Sequence, residues 1–381
     1  MADAVSVLQL LVSTRLGGGP KQVFETLRHV PREHFEWVLA APDDGPYFPR
    51  FGEIGTVHRL GLDRLRPTTF LDLVRLIRTR RIDVVHSHGK GPGLYGRLAA
   101  RVTGRPAIHT FHGIHVEKYA APAARLYLTL ERALARLSYA IVNVSESEAR
   151  AGESLRLWPA GRALVIHNGI DTAATRALAR QQSLSRGALG MTGAGPLVAS
   201  IARLDSVKGV DIFVRAVAAL AERHPSVQAL VVGTGREEAR LRALAAETGT
   251  ERRLRFVGEI PDAVRIFPAV DVYVSASRGE GLPLAVLEAM ACDVPVVATR
   301  IPAHEELIVD GRTGLLARPD DPADLAEKTS RLLRDGDLGA RLRACARDDI
   351  DRRYDVATTA AALAALYRKA REERLGPCPL G

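Results

Sequence analysis

Cysteine is scarce in this chain, and its few copies show no pattern of a bridge or a metal site. Cys292, Cys345 and Cys378 are the three cysteines among 381 residues, and no two of them have a CxxC spacing. A disulfide framework and a cysteine-ligated zinc site are therefore excluded. A reducing compartment is the environment that this cysteine usage favours.

Long apolar runs are also missing. No run reaches the roughly 18 residues that a membrane-spanning helix needs. The first residues, MADAVSVLQLLVSTRLGGG, carry an acid where a secretory signal needs positive charge, and no small-residue cleavage site follows them. We therefore expect these residues to form a first β-strand, and we expect the protein to be cytoplasmic.

Acidic residues are outnumbered by basic ones, 44 to 53, which gives a formal net charge of +9. This balance favours an anionic partner: nucleic acid, an anionic membrane face or a phosphorylated substrate. An arginine-rich surface without a specific partner explains it equally well. The positive charge is spread over helical segments without the Lys/Arg block of a nucleic-acid-binding tail, so we expect no nucleic-acid partner.

The length of the chain and its hydrophobic pattern predict two α/β domains. Short β-branched runs alternate with helical patterns from VSVLQLLVS to ALVIHNGID, which is typical of a parallel sheet covered by helices. A polar stretch without strands, from about residue 172 to 196, separates this series from a second one that starts at PLVASIARL. The tail from residue 322 to 374 is nearly all helical. Two such domains facing each other make a cleft, with ligands at the carboxyl ends of the strands.

The stretch SRGEGLPLAVLEAMACDVPVVAT, residues 277–299, places two carboxylates around a short apolar helix. Pro283 suits the first turn of this helix, whose N-terminal amides attract anions. Glu280 lies in the loop before the helix. Glu288 lies within it, where a buried carboxylate needs donors such as vicinal ribose hydroxyls. A capping role for Glu280 and a structural pairing of Glu288 are equally compatible with the sequence.

Two cations and two glycines follow other strands of the second domain. Arg203 and Lys208 flank the turn in SIARLDSVKGVDIF, where they can hold a diphosphate or remain exposed loop charges. Gly233 and Gly235 in VVGTG open a helix, but the third glycine and the acid of a dinucleotide site are missing. The pattern therefore disfavours a nicotinamide site, which would make the protein an oxidoreductase, and favours a tight turn that lines a ligand cleft.

Five histidines cluster after strands of the first domain: His86, His88, His109, His112 and His115. Their H-x-H and H-x2-H-x2-H spacings lack the helical or cysteine-paired form of known zinc sites. Polar contacts to a bound acceptor, or structural roles, are the alternatives that the residues favour.

Several ordered motifs together resemble the retaining glycosyltransferases of family 4, which have the GT-B fold. In the second half these are IARLDSVKG, VVGTG, FVGEI and the stretch 277–299, in which Glu280 and Glu288 form an E-x7-E pair. The first half adds RLGGGPKQVFETL, DVVHSHG, TFHGIH and VIHNGID. The resemblance covers almost the whole chain, is strongest over residues 198–316, and is specific because the motifs occur as an ordered set.

The resemblance implies an α/β architecture of two Rossmann-like domains. Residues 1–175 would form an N-terminal acceptor-binding domain, and residues 176–355 a C-terminal domain that binds the nucleotide sugar. Residues 356–381 would form a C-terminal helix that packs back on the first domain. The implied enzyme moves a sugar from a UDP- or GDP-linked donor to a saccharide or lipid-linked acceptor, in cell-surface polysaccharide or glycolipid synthesis.

The resemblance also implies roles for individual residues of the second domain. Arg203 and Lys208 would hold the diphosphate, and Glu288 would accept hydrogen bonds from the ribose. Glu280 would hold a hydroxyl of the donor sugar, and the amides after it would contact the sugar or a phosphate. The other residues expected on the donor side are Gly233, Glu259 near the base, Gly281, Leu282, Pro283 and Leu284.

On the acceptor side the resemblance implies Gly18, Gly19, His88, His112 and Asn168. His112, in TFHG, would face the donor sugar and act with Glu280, Arg203 and Lys208 in catalysis. Asn168 and Gly169 are expected to shape an interdomain turn, with a simple left-handed turn as the alternative. Enzymes of this kind generally need no metal, and no DxD stands at a strand end, so no cofactor is expected.

Retention of configuration leaves two mechanisms open. In one, the acceptor attacks on the face that the diphosphate leaves, and a departing phosphate oxygen takes its proton. In the other, a carboxylate forms a covalent intermediate. The alternative functions are a GT-B sugar-nucleotide epimerase and a non-catalytic nucleotide-sugar-binding subunit. The basic, amphipathic segment RLYLTLERALARLS packs on a sheet or lies on an anionic membrane, which would make the enzyme peripheral at the inner face.

Overall fold

The computed structural model describes residues 4–64, 66–114 and 120–375. The chain forms two compact units: Met1–Gly169 together with Val356–Gly381, and Ile170–Asp355. Each unit is a parallel sheet covered by helices, which confirms the two Rossmann-like domains. The boundary expected after residue 175 falls inside the helix Thr172–Gln181, and this whole helix belongs to the second unit.

The first unit contains a seven-stranded parallel sheet of order β3-β2-β1-β4-β5-β6-β7. Its strands are β1 (Val5–Leu11), β2 (Phe35–Ala41), β3 (Thr56–Arg59), β4 (Val84–His88), β5 (Ala107–Thr110), β6 (Ala140–Asn143) and β7 (Ala163–Val165). Its helices are α1 (Gly18–His29), α2 (Tyr47–Phe51), α3 (Pro67–Thr79), α4 (Lys90–Thr103), α5 (Ala121–Ala135), α6 (Glu146–Ser154) and α14 (Val356–Leu375), with a 3-10 turn at Arg32–His34.

The central strand and the last helix show why this unit forms. All seven residues of β1 are buried, as expected for a parallel strand covered on both faces. Helix α14 contributes small residues at helical spacing to the core beside β1 and α1. They are Ala360, Ala364 and Ala370, with Tyr367 between them. Because alanine allows close approach of the helix to the sheet, the C-terminal segment becomes part of the first unit.

The second unit contains a six-stranded parallel sheet of order β10-β9-β8-β11-β12-β13. Its strands are β8 (Leu197–Ile201), β9 (Gln228–Val232), β10 (Leu254–Phe256), β11 (Val272–Ser275), β12 (Val296–Thr299) and β13 (Leu315–Ala317). Its helices are α7 (Thr172–Gln181), α8 (Val210–Arg223), α9 (Glu238–Glu247), α10 (Leu284–Ala291), α11 (Pro302–Leu307), α12 (Pro322–Arg334) and α13 (Gly336–Arg353), with 3-10 helices at Ser206–Lys208 and Ala263–Ala269.

Each sheet reverses its strand order once. In the first unit β1 lies between β2 and β4, and in the second β8 lies between β9 and β11. Ligands of open α/β sheets bind outside the carboxyl ends of the strands at such a reversal. The residues that follow β1 and β4, and those that follow β8 and β11, are therefore the first place to look for a site. Across the described ranges, no helix is both long enough and apolar enough to span a bilayer.

Candidate active site

The strongest feature beyond β8 and β11 is an ion pair between Lys208 and Glu280. The Lys208 ammonium nitrogen lies 2.7 Å from Oε1 and 2.6 Å from Oε2 of the Glu280 carboxylate. The Glu280 side chain is 10% exposed and the Lys208 side chain 20%. Ser277 donates a further hydrogen bond of 2.7 Å to Oε1. Two residues that lie far apart in the chain therefore form one ion pair.

These contacts keep Glu280 ionised despite its burial. Burial by itself raises the pKa of a carboxyl, but the Lys208 charge, its hydrogen bonds and the Ser277 hydroxyl outweigh burial. The pKa of Glu280 is consequently lowered. The pair can thus present both a positive and a negative group to a ligand at this strand end.

A buried histidine that the sequence did not suggest lies near Glu280. His304 Nδ1 is 2.7 Å from the carbonyl oxygen of Thr299, and its Nε2 is 3.1 Å from the Ser275 hydroxyl. Burial lowers the pKa of His304, although the negative charge of Glu280 opposes that shift. Thr299 also donates a hydrogen bond to the carbonyl oxygen of Ser277, next to the glutamate loop. The position of His304 in the helix that follows β12 was the one available signal.

Arg203 and Lys208 differ in their environments. The Arg203 side chain is 61% exposed, and its guanidinium lies 3.2 Å from the Asp205 carboxylate. Lys208 is largely buried against Glu280. Both cations flank the turn as expected, but each has a carboxylate partner of its own, and Lys208 is not an exposed loop charge. Their hold on a diphosphate remains a prediction.

Two glycines in this region are required by close backbone approach. Gly209 ends the 3-10 helix in a left-handed conformation, and a Cβ there would overlap the carbonyl oxygen of Ala276. Gly233 has a φ of 130°, and a Cβ there would overlap the carbonyl oxygen of Ala202. The tight turn expected at VVGTG is present, and it brings the ends of β8 and β9 together.

Helix α10 begins at Leu284, one residue later than predicted, so Pro283 is its N-cap and not part of its first turn. Glu288 is buried in this helix at 5% exposure. The hydroxyl of the nearby buried Tyr273 is 3.3 Å from the carbonyl oxygen of Ile201. Burial, and then the charges of Glu280 and Glu288, raise the pKa of Tyr273. The two glutamates of the E-x7-E pair thus act on one buried tyrosine.

The remaining donor-side residues lie around these groups. Leu282 and Leu284 are buried, and Gly281 connects them to Glu280. Glu259 is exposed in the loop after β10, where its Oε1 accepts a hydrogen bond of 2.9 Å from the Thr234 hydroxyl. Their expected contacts with a donor remain predictions.

In the first unit, His88, His112 and Asn168 line one pocket. The pocket is otherwise lined by His86 and by amides, hydroxyls and apolar side chains, and it includes Gln9 and Tyr367. His88 and His112 are joined by a hydrogen bond of 2.9 Å between Nδ1 and Nε2. The structure therefore brings together three of the five residues expected on the acceptor side.

The backbone at His112 is held in an unusual conformation. Its φ is 57°, in the left-handed region that non-glycine residues rarely adopt, and Gly113 follows with a φ of 114°. The Gly113 amide donates to the buried carboxylate of Glu148, which also accepts a hydrogen bond of 2.8 Å from the Val144 amide. Glu148 was not identified from the sequence, although it lies in the helix that follows β6.

Gly18, Gly19 and Asn168 complete the acceptor-side set. Helix α1 starts at Gly18, and a Cβ at Gly19 would meet no other atom within contact distance. Asn168 is buried, and its backbone amide donates a hydrogen bond of 3.3 Å to the Val144 carbonyl oxygen. Neither Asn168 nor Gly169 has a left-handed φ, so the alternative of a simple left-handed turn is wrong.

Within the part of the chain that the structure describes, no three His, Cys, Asp or Glu residues are grouped to hold a metal ion. His86 and His109 are instead hydrogen-bonded within the protein, His86 to Tyr367 and Thr110, and His109 to Ser87. His115 lies outside the described residues, as does Cys378.

Solved structures of glycosyltransferases share this fold. The crystal structure of HepE from Anabaena, in complex with UDP and glucose, superposes with a TM-score of 0.82, covering 96% of this chain and 100% of that one at 21% identity. Sucrose-phosphate synthase from Thermosynechococcus elongatus gives 0.81, with 97% and 100% covered at 22% identity. These likenesses show that the chain has the GT-B fold.

Sequence comparison identifies the family. Residues 16–174 match the model described as Glycosyltransferase Family 4, and residues 195–335 match Glycosyl transferases group 1. The D-inositol 3-phosphate glycosyltransferase of Acidothermus cellulolyticus is 31% identical over 77% of this chain and 68% of its own length. The enzyme of the same name from Saccharomonospora viridis is 31% identical over 76% and 70%. The chain belongs to glycosyltransferase family 4, as its motifs predicted.

Proposed function

We propose that this glycosyltransferase moves a sugar, with retention of configuration, from a nucleotide-diphosphate sugar to a saccharide or lipid-linked acceptor. The second unit binds the UDP- or GDP-linked donor, and the first unit binds the acceptor. The product belongs to a cell-surface polysaccharide or a glycolipid. No metal ion or other cofactor takes part.

The observation that carries this proposal is the Lys208–Glu280 pair at the ends of β8 and β11. A bound diphosphate offers Lys208 a second anion, while the Glu280 carboxylate can accept a hydrogen bond from a sugar hydroxyl. Arg203, mostly exposed at the same strand end, can reach a phosphate by leaving Asp205, which Arg236 also approaches at 3.8 Å. Glu288 in α10 accepts hydrogen bonds from the ribose, and the amides near Gly281 and Leu284 add donors.

The chemistry follows from the charge of the leaving group. As the bond between the sugar and the diphosphate breaks, negative charge grows on the phosphate oxygen. Fixed cations stabilise that charge more in the transition state than in the bound substrate, so they lower the barrier. Arg203 and Lys208 supply these cations. A phosphate oxygen that takes the acceptor proton completes a same-face substitution without a protein nucleophile.

The relatives indicate which substrates to try. HepE is seen with UDP-glucose as well as with UDP and glucose. Two relatives carry the name D-inositol 3-phosphate glycosyltransferase. UDP-glucose and D-inositol 3-phosphate are therefore a rational first pair, followed by other UDP- and GDP-sugars with glycosides and lipid-linked sugars.

A donor panel tests the proposal. The purified full chain is incubated with each nucleotide sugar, first for thermal stabilisation and then with acceptor mixtures analysed by mass spectrometry. We expect one donor to stabilise the protein and to yield a glycosylated product with the anomeric configuration of the donor. Stabilisation without transfer or donor hydrolysis would favour a non-catalytic binding subunit. Conversion of the donor into an isomeric nucleotide sugar would favour an epimerase.

The first unit also carries a surface suited to an anionic membrane. Large apolar side chains are exposed on three helices on one side of its sheet, and arginines accompany them. The exposed apolar residues are Leu71 on α3, Leu98 and Val102 on α4, and Leu126 and Leu130 on α5. The exposed arginines are Arg75, Arg78, Arg101, Arg125 and Arg136. Apolar side chains that enter the interface and cations that face lipid phosphates make this a membrane-binding surface.

Vesicle flotation tests whether these exposed residues bind membranes or are ordinary surface residues. We expect binding to vesicles that contain anionic phospholipid, no binding to purely zwitterionic vesicles, and a loss of binding in Leu126→Glu. The exposed residue Val309 lies on the second unit, so Val309→Glu is the matched control and should bind as the wild type does. Equal flotation of the two variants would contradict the assignment.

A further inference from the structure

A chain of hydrogen bonds in the first unit joins the C-terminal helix to His112. The hydroxyl of Tyr367 on α14 is 3.0 Å from the amide nitrogen of Gln9 on β1. The amide oxygen of Gln9 is 2.8 Å from His88 Nε2, and His88 Nδ1 is 2.9 Å from His112 Nε2. All four of these hydrogen-bonded residues line the acceptor-side pocket.

The direction of these hydrogen bonds determines which ring nitrogen of each histidine carries the proton. The amide oxygen of Gln9 can only accept, so His88 Nε2 must carry a proton and donate. Burial lowers the pKa of His88 well below its usual value and the pKa of His112 to about 4, so both rings are neutral at pH 7. A neutral His88 then has Nδ1 as its acceptor, and the proton in that hydrogen bond belongs to His112 Nε2.

A side branch is compatible with the same polarity. Tyr367 accepts from the amide nitrogen of Gln9, so its own hydroxyl proton points to His86 Nδ1 at 2.7 Å. His86 Nε2 then donates to the Thr110 hydroxyl at 2.8 Å. In this arrangement each of the hydrogen bonds named has one donor and one acceptor. A reversed Gln9 amide would require every proton along the chain to move at once.

We propose that Gln9 is a positioning residue that keeps the proton of His112 on Nε2 and leaves Nδ1 as a hydrogen-bond acceptor for a sugar hydroxyl. A hydroxyl of the acceptor or of the transferred sugar is the ligand group that such a nitrogen takes. This inference rests on the proposed function only for the identity of the ligand. The proton arrangement is a property of the free protein.

Nuclear magnetic resonance of the full chain, labelled with 15N in histidine, tests the arrangement without substrate. The shifts of protonated and unprotonated ring nitrogens are well separated, and single histidine substitutions assign the signals. We expect wild-type His112 to carry its proton on Nε2. Gln9→Met has nearly the same volume but removes both hydrogen bonds, and should lower the ratio of the Nε2–H to the Nδ1–H form about tenfold.

Two further variants make the test specific. Tyr367→Phe removes the acceptor of the Gln9 amide, frees that amide to rotate, and should shift the His112 tautomer in the same direction. Thr110→Val perturbs only the His86 branch, so the His112 tautomer should stay as in the wild type. If Gln9→Met does not fold, Tyr367→Phe decides in its place.

The possible outcomes separate the inference from the proposed function. A wild-type His112 with its proton on Nδ1, or a tautomer ratio unchanged in Gln9→Met and Tyr367→Phe, would overturn the positioning role of Gln9. The predicted tautomers combined with no transfer to any acceptor would leave that role intact and count only against the proposed function.

Discussion

The ammonium group of Lys208 lies within 2.7 Å of both carboxylate oxygens of Glu280, so two residues expected to contact different parts of a donor contact each other in the free protein. A diphosphate that binds here competes with Glu280 for the lysine. Sharing one lysine between two anions couples donor binding to the position of Glu280, because Glu280 gains freedom to contact the sugar as the phosphate engages Lys208.

The first prediction concerns the two cations. Lys208→Ala and Arg203→Ala should each lower kcat roughly 10²–10³-fold, by analogy with the loss of one preorganised donor at an oxyanion site. Stability should distinguish them. Lys208→Ala leaves Glu280 buried without its cation and should cost roughly 3 kcal/mol of unfolding free energy. Arg203→Ala should cost well under 1 kcal/mol, because the Arg203 side chain is mostly exposed and Arg236 still lies 3.8 Å from the Asp205 carboxylate.

A double variant separates the structural loss from the catalytic one. Lys208→Ala with Glu280→Gln removes both charges, so the unfolding free energy should recover in part while kcat stays low. Lys208→Arg should not restore kcat fully, since a planar fork does not replace a point charge. Wild-type kcat at saturating donor in both alanine variants would reduce the two cations to surface charges.

The second prediction concerns the buried carboxylate of α10. Glu288→Gln keeps the volume but removes a charged acceptor, so donor affinity should fall by roughly 1.5–3 kcal/mol, the range for a hydrogen bond to a charged group. Titration calorimetry with the cognate nucleotide sugar measures this. Glu259→Gln, on an exposed residue near the expected base, is the comparison and should change the affinity less. Equal affinity of wild type and a folded Glu288→Gln would return Glu288 to a structural role.

The third prediction is that transfer needs no divalent metal. Two cationic side chains at the donor-side strand end can compensate the diphosphate charge that a metal would otherwise neutralise. Activity should therefore persist in excess chelator and should not rise on addition of magnesium or manganese. Activity that disappears with chelator and returns with either ion would contradict it.

The fourth prediction is a pH dependence of stability in the first unit. Burial lowers the pKa of His86 to about 3 and of His112 to about 4, while an unfolded histidine titrates near 6.5. The unfolded chain therefore binds more protons below about pH 6.5, and the unfolding free energy should fall as the pH falls from about 6.5 to about 4. Each such histidine contributes up to about 1.4 kcal/mol per pH unit in this window.

The two tryptophans of the chain make this measurable. Trp37 and Trp158 both lie in the first unit, so their emission during denaturant unfolding reports on that unit. His112→Asn should flatten the pH dependence, whereas His34→Asn, at an exposed position, should not. A first unit equally stable throughout the window would show that its buried histidines do not resist protonation.

Local pattern was sufficient to predict both sheets, the start of α10 to within one residue and the residues at the strand ends, because each depends on neighbours in the chain. The partners of those residues were not predictable. Lys208 and Glu280 are 72 positions apart, and Gln9 and Tyr367 are 358 apart. Which of several strand-end side chains meet is decided by sheet order and helix packing. For the same reason His304 and Glu148 were not predicted as site residues. Their hydrogen-bond partners come from other elements or from the turn at Gly113.

The packing of α14 into the first unit has a consequence for the order in which the protein matures on the ribosome. The second unit, Ile170–Asp355, is synthesised without interruption and can fold as soon as it emerges. The first unit cannot complete its core until α14 has been synthesised, because Tyr367 and its alanine neighbours are part of that core. Until then all seven strands are present but the part of the sheet that α14 covers remains exposed, and nascent chains stalled before residue 356 should be the species that chaperones hold and proteases cleave.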